Sequence, residues 1–131
     1  MRRVLISVHV SVFLLSIICG SSAVHAQKAY ETISFSSIID GAKVNFKFAD
    51  GYFAASWIRL QKGGRSENYR PENGEPLVSG DRKFLPARKG ARFQYIVVSV
   101  PKTDPESTPD SVLLTAIGTG KKIKVIAHRS R

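Results

Sequence analysis

The chain has 131 residues, of which 43% are hydrophobic and 23% charged, and its formal net charge at pH 7 is +10. This composition excludes a collagen-like repeat, a disulfide scaffold and a wholly disordered chain. The length is that of one domain. Only one segment is apolar enough to enter a bilayer, so the composition also excludes a polytopic membrane protein.

That apolar segment lies at the start of the chain. A basic tripeptide, residues 1–3, is followed by a largely apolar stretch over 4–19, and Val24 and Ala26 are small residues near its end. A basic start, an apolar core and small residues three and one before a junction are typical of a secretory signal. We therefore predict cleavage after Ala26 and export of a single domain, 27–131, to the periplasm or the extracellular space.

Two other interpretations of the segment are weaker. The 16 residues of 4–19 are fewer than a membrane anchor requires, because a helix needs about 20 apolar residues to span a bilayer. Lipoprotein processing at Cys19 normally needs a small residue before the cysteine, and Ile18 is not small. The mature domain is thus expected to have no transmembrane segment.

The expected mature domain lacks the residues that several chemistries need. Its 105 residues contain no cysteine, and His128 is its one histidine. Disulfides, a cysteine nucleophile and zinc or copper sites are therefore excluded. A Ser-His-carboxylate site would have to use His128, three residues from the C-terminus, where a solvent-facing strand end is the simpler interpretation. We expect no cofactor, no metal and no enzymatic activity.

Period-two alternation predicts strands in the first half of the mature domain. Residues 29–39, 42–48 and 52–61 form a predicted three-strand meander, joined by Asp-Gly pairs at 40–41 and 50–51. An Asp-Gly pair between apolar runs is a strong hairpin signal. The third strand has a helical alternative, because Phe53, Trp57 and Leu60 also follow helical spacing. Trp57 has an apolar context and is interpreted as a core residue.

The second half contains a polar stretch and further strands. Residues 63–80 include four glycines and two prolines and are predicted to be a long loop. A short strand over 82–85 follows, and 93–100 is apolar on both faces, which predicts a central strand covered on each side. Residues 112–117 and 121–127 form another predicted hairpin. About seven strands and no confident helix indicate an all-β fold, either a small β-sandwich, immunoglobulin-like in a broad sense, or a small closed barrel.

The basic side chains supply the candidate binding surface. We predict that it combines residues 63–76 of the polar loop with the basic cluster over 82–92, and the candidate residues are Arg65, Tyr69, Arg70, Arg82, Lys83, Arg88 and Lys89. Tyr69 is the expected exposed aromatic residue. The possible partners are an anionic polysaccharide, a lipid headgroup or an acidic protein, and export makes nucleic acid an unexpected one. A basic surface that serves only solubility is the simpler interpretation.

These observations predict an exported, non-catalytic binding domain. Two alternatives stay open. One is an accessory structural subunit of an envelope assembly, in which an exposed edge strand pairs with another chain. The other is a polysaccharide hydrolase that uses the turn carboxylates Asp40, Asp50 and Asp81.

Overall fold

The protein folds into a closed antiparallel barrel of eight strands. A computed structural model describes residues 30–73, 80–101 and 108–131, and the expected signal segment lies outside them. The strands are β1 (Thr32–Ile39), β2 (Ala42–Ala49), β3 (Trp57–Lys62), β4 (Arg65–Pro71), β5 (Gly80–Pro86), β6 (Tyr95–Val100), β7 (Ser111–Gly118) and β8 (Lys121–Arg129). A short 3-10 turn, Phe53–Ala55, precedes β3.

Each strand pairs with its neighbours along the chain, and β8 returns to pair with β1. The closing ladder is short, with Phe35 opposite Arg129 and Ser36 opposite His128. The all-β prediction is confirmed, and of the two architectures considered, the closed barrel is the one that forms. Within the described ranges, no helix has the length and apolar character needed to cross a bilayer.

Tight turns join the strands at one end of the barrel. Asp40 and Gly41 have φ angles of 51° and 71°, and Gly63 and Gly64 have φ angles of 55° and 75°. Paired positive φ angles match the twist of antiparallel strands in two-residue hairpins, and glycine adopts them without strain. The predicted hairpin at 40–41 is confirmed, whereas 50–51 does not form a tight hairpin turn and instead begins the seven-residue connection 50–56 that contains the 3-10 turn.

The second of these hairpins corrects the sequence prediction. Residues 63–80 were predicted to be one long loop, but Gly63 and Gly64 turn the chain directly into β4. The polar residues of 65–71 form a strand because their backbone groups pair with β3 on one side and β5 on the other. The barrel therefore has eight strands, one more than the alternation indicates. Residues 74–79 lie outside the described ranges.

Three further expectations are corrected or resolved. The strand alternative holds for Trp57–Lys62, whereas 53–55 form the 3-10 turn. Trp57 is a half-buried residue whose ring contacts Lys47 and Arg59, two side chains of the outer face, so its assignment to the core is wrong. Strand β6 is fully buried only at alternate positions, Ile96 and Val98, because the barrel covers one of its faces.

Aromatic side chains fill the barrel. Phe46 lies at the centre, with its ring centroid 5.7 Å from that of Phe35 and 5.6 Å from that of Phe84. An eight-stranded barrel has an interior just wide enough for side chains to fill. Alternate apolar residues of the last strand also join this core: Ala127 is buried in it, and Ile123 and Val125 pack against it. With its interior occupied, the barrel exposes its ends and its outer surface to solvent.

Candidate functional site: the basic end of the barrel

The two ends of the barrel carry different charges. We define each end of the barrel as the loops and chain termini that lie there, together with the two nearest residues of every strand that leads into or out of them. The end that carries the turns 40–41, 63–64 and 119–120 and the connection 87–94 is called the basic end. Among the described residues it contains one exposed carboxylate, Asp40, and eight basic side chains: Lys43, Lys62, Arg65, Arg88, Lys89, Arg92, Lys121 and Lys122.

The opposite end has the reverse balance. By the same definition, the described residues there include three basic side chains, Arg70, Arg129 and Arg131. They include five carboxylates, those of Glu31, Asp50, Glu72, Asp81 and Asp110. The barrel is therefore polarised along its axis, which a net charge alone does not reveal.

Most of the positive charge at the basic end is not neutralised by ion pairs. Among the described residues, the ion pair there joins Lys121 Nζ to Asp40 Oδ2 at 2.9 Å. The hydrogen bond and the charge of Lys121 hold the pKa of the exposed Asp40 carboxyl below its ordinary value, and the charges of Lys62 and Arg92 add to this effect. Asp40 therefore stays ionised. Among the described residues, the other seven basic side chains of this end form no ion pair.

A buried phenol braces the basic end from within. Tyr69 is fully buried, and its hydroxyl donates to Glu67 Oε2 at 3.0 Å and accepts from the Phe93 backbone N–H at 3.2 Å. The same carboxylate oxygen accepts from the Arg92 N–H at 3.1 Å. Burial raises the pKa of the Tyr69 phenol, so the hydroxyl keeps its proton. This network fixes the connection that carries Arg88, Lys89 and Arg92.

Two open clefts border the basic end. The first has a volume of about 490 Å³ and lies beside the 40–41 and 63–64 turns, with Lys43, Gln61 and Lys62 in its lining. The second, of about 400 Å³, separates the start of β4 from the connection after β5 and includes Arg88 and Lys89. Both are lined by solvent-facing hairpin residues, so they suit part of an extended ligand better than an enclosed small molecule.

A second polar surface continues from this end along the barrel wall. We call it the outer face; it comprises the outward positions of β2, β3 and β4, which are Lys43, Asn45, Lys47, Trp57, Arg59, Gln61, Ser66, Asn68 and Arg70. None of these nine described positions is a carboxylate. Lys47 Nζ and Arg59 Cζ lie 5.4 and 4.8 Å from the centroid of the Trp57 ring. Favourable cation–π contacts occur within about 6 Å.

The predicted site residues do not form one cluster. Arg65, Arg88 and Lys89 come together at the basic end, whereas Arg70 lies on the outer face. Lys83 points outward from β5, pairs with Glu72 at 3.3 Å and lies over the Tyr95 ring. Arg82, the residue before Lys83 on the same strand, is half-buried.

Tyr69 is the clear correction among these residues. It was expected to be an exposed aromatic contact, but its side chain is fully buried. The expectation fails because 65–71 form a strand instead of a loop, and alternation then turns Tyr69 inward. Its role is to hold the basic end together.

Sequence reasoning did not select several residues that the fold places in these surfaces. Lys62, Arg92 and the adjacent pair Lys121 and Lys122 reach the basic end through three separate segments of chain. Arg59 and Trp57 lie on the outer face because successive side chains of β3 point alternately into and out of the barrel. For Trp57 and Arg59, the alternation over 57–62 carries a usable signal; the convergence of the other four requires the barrel closure.

Of the three carboxylates assigned to turns, Asp40 lies at the basic end, Asp50 lies at the opposite end, and Asp81 lies within β5 at that same opposite end. Asp40 and Asp50 lie at opposite ends of β2, a strand of eight residues, which spans about 25 Å. Paired catalytic carboxylates in glycosidases are less than about 10 Å apart. Within the described parts of the chain, no group of three His, Cys, Asp or Glu side chains is arranged to hold a metal ion.

Comparison with protein-family models, with curated proteins and with solved structures finds no match to this chain.

Proposed function

We propose that residues 27–131 are an exported, non-catalytic binding domain that contacts an anionic component of the cell envelope or its surroundings through the basic end. The observation that carries the proposal is the axial partition of charge. Eight basic side chains and one exposed carboxylate share the basic end, while carboxylates outnumber basic side chains at the other. A surface that serves only solubility does not need this separation.

The separation matters because charge of one sign at one end creates a directional field. Such a field orients an approaching anion and raises the rate of encounter. The tight hairpins hold the charges at fixed positions around the rim, so a polyanion meets several of them together. Export is supported by the signal pattern of residues 1–26, and it favours an envelope polymer or headgroup as the partner over nucleic acid.

The test is to remove equal charge from two places. The first variant replaces Arg65, Arg88 and Lys89 by Ser, and the matched control replaces Lys124, Arg129 and Arg131, all exposed residues outside the basic end. A basic side chain near an anionic surface contributes about 1 kcal/mol. The first variant is therefore expected to lose about 100-fold in affinity for anionic vesicles or polygalacturonate, and the control much less.

Two results would count against the proposal. Equal losses in both variants would show that net charge, not its placement, controls binding. A wild-type protein that ignores both polyanions at low salt would remove the electrostatic basis altogether. Circular dichroism of each variant checks that the barrel is intact.

The described strands close into a barrel, so the exposed edge strand expected of a structural subunit is absent among them. A different observation supports that alternative. Ile38 on β1 and Ile126 on β8 are 67% and 57% exposed, and they lie on two strands that pair with each other. An exposed apolar pair can contact another chain. Replacing Ile126, which lies outside the basic end, by Ser would then reduce crosslinks to a protein partner in cells, while polyanion binding stays unchanged.

A further inference from the structure

Arg59 is the most highly organised cation of the outer face. Its Nε donates to Asn68 Oδ1 at 3.0 Å, and its guanidinium lies 4.8 Å from the centroid of the Trp57 ring. The side chain is nevertheless exposed. One hydrogen bond and one ring contact thus orient an arginine that solvent can reach.

This arrangement leaves the binding groups of Arg59 available. Asn68 is a neutral amide and Trp57 a neutral ring, so neither cancels the positive charge as a carboxylate would. Within the described residues, no protein group accepts a hydrogen bond from the two terminal amino groups. An oriented guanidinium with free terminal N–H groups matches the two oxygens of a carboxylate or a sulfate.

The surroundings of Arg59 extend the site into a strip. Lys47 also lies against Trp57, and Arg70 follows Asn68 by two positions on β4, so it points to the same side. Neutral hydrogen-bonding side chains surround Arg59: Asn45 and Asn68 lie opposite it on the two neighbouring strands, and Gln61 and Ser66 continue the strip level with Lys43. The Oδ1 atom of Asn45, which is opposite Arg59 in the register, is buried and accepts no hydrogen bond from described residues.

The chemistry of the strip favours a sugar polymer over a nucleic acid. Proteins that bind single-stranded nucleic acid stack successive bases on aromatic side chains. The outer face has one aromatic residue, Trp57, and its ring is engaged by Lys47 and Arg59. Alternating cations and neutral amides instead match a ligand that alternates acidic groups and hydroxyls.

We propose that the outer face binds an acidic polysaccharide chain, with Arg59 as the residue that contacts its carboxylate or sulfate groups and Asn68 as a positioning residue. This inference rests on the proposed function and names its ligand class. The strip is continuous with the basic end, since Lys43 and Gln61 line one cleft and Ser66 and Asn68 line the other. A chain along β2–β4 therefore reaches the basic rim.

The experiment measures binding of the full exported protein to polygalacturonate. Arg59→Gln is expected to weaken it about tenfold or more, because hydrogen bonds to charged groups are the strong ones. Arg59→Lys keeps the positive charge but loses the paired N–H donors of the guanidinium, so we expect its affinity to lie between those of Arg59→Gln and wild type. Asn68→Ala is expected to lose severalfold. Lys124→Gln, an exposed change on β8, is the matched charge control and should bind as wild type.

Heparin, dextran and poly(dT) complete the design. The proposal is supported if the protein binds both acidic polymers but not neutral dextran, and if the variants have the same order of affinity for both acidic polymers. Wild-type affinity in Arg59→Lys and Asn68→Ala would overturn the role of an oriented guanidinium. Tighter binding of poly(dT), with the same sensitivity to Arg59→Gln, would overturn the ligand class.

The variants also separate this inference from the proposed function. If the Arg65, Arg88 and Lys89 triple variant loses polygalacturonate binding while Arg59→Gln does not, the basic end binds the polymer and the outer face does not. That outcome overturns the present inference and leaves the proposed function in place. Unaltered thermal unfolding of Arg59→Gln confirms that any loss of binding does not reflect a damaged fold.

Discussion

The two ends of the barrel close the same eight strands and yet differ in construction. At the basic end, two-residue turns at 40–41, 63–64 and 119–120 join three strand pairs, and the longer connection 87–94 is held by hydrogen bonds to Glu67 and Tyr69. At the opposite end the strands are joined by the longer connections 50–56, 72–79 and 101–110. Short hairpins fix their flanking side chains in space. The positive charges therefore lie at the end of the barrel whose loops are held in place, where several of them can act on one ligand.

The ends also differ in how they are sealed. At the opposite end Phe53 is buried, with its ring centroid 5.6 Å from that of Phe84. At the basic end the seal is polar, because the Tyr69 hydroxyl bonds to Glu67 and to the Phe93 backbone. The opposite end is thus closed by apolar packing, and the basic end by a hydrogen-bond network that holds the connection 87–94 with its basic side chains.

The largest expected effect is the loss of the apolar seal. Phe53→Ala removes a ring that packs between Phe48 and Phe84, and truncation of a buried phenylalanine costs about 3–5 kcal/mol of unfolding free energy. Chemical denaturation measures this loss. Affinity for polygalacturonate, corrected for the folded fraction, should not change. A parallel loss of affinity would contradict the purely structural role of this end.

The polar seal is expected to matter less for stability. Tyr69→Phe keeps the ring and leaves the buried Phe93 N–H without its acceptor, which costs about 1–3 kcal/mol. The control is Tyr52→Phe at the opposite end, where the side chain is exposed and denaturation should not detect the change. If both variants unfold at the same denaturant concentration as wild type, the network does not brace the basic end.

The smallest expected effect concerns Asp40. Its pKa is lowered in the folded protein, so its contribution to stability is present above the unfolded pKa and disappears as pH falls through the lower, folded value. The stability difference between wild type and Asp40→Asn should therefore be seen at neutral pH and vanish in strong acid. The same change removes an exposed carboxylate from the basic end, so polyanion binding should strengthen slightly. Weaker binding would show that Asp40 positions Lys121 for contact.

Much of the fold follows from local patterns in the sequence. Alternation of Val44, Phe46 and Phe48 with lysine and asparagine predicts β2, and the Asp40-Gly41 pair predicts its turn. Strand β4 escapes detection because its inward positions include Glu67 and Tyr69, polar groups that satisfy each other inside. Local hydropathy cannot signal a strand whose pairing and polar contacts come from distant segments.

The candidate site is less visible in sequence for the same reason. Arg65, Arg88 and Lys89 can be named as basic residues, and the 63–64 turn sets Lys62 opposite Arg65, but Lys121 comes from a distant turn. Only closure of the barrel gathers them at one end. The outer face depends on the register of β2, β3 and β4, which sets Arg59 beside Asn68.

The most direct test of the central claim is a map of amide chemical-shift changes when polygalacturonate is added to the isotope-labelled protein at low salt. We expect the changes to concentrate at 40–43, 62–66, 87–92 and 119–122, to extend along the outer face at 45–47, 57–61 and 68–70, and to weaken as salt is added, because screening reduces exposed charge interactions. Changes concentrated at 50–56, 108–110 and 129–131, or an unchanged spectrum, would contradict the assignment of binding to the basic end.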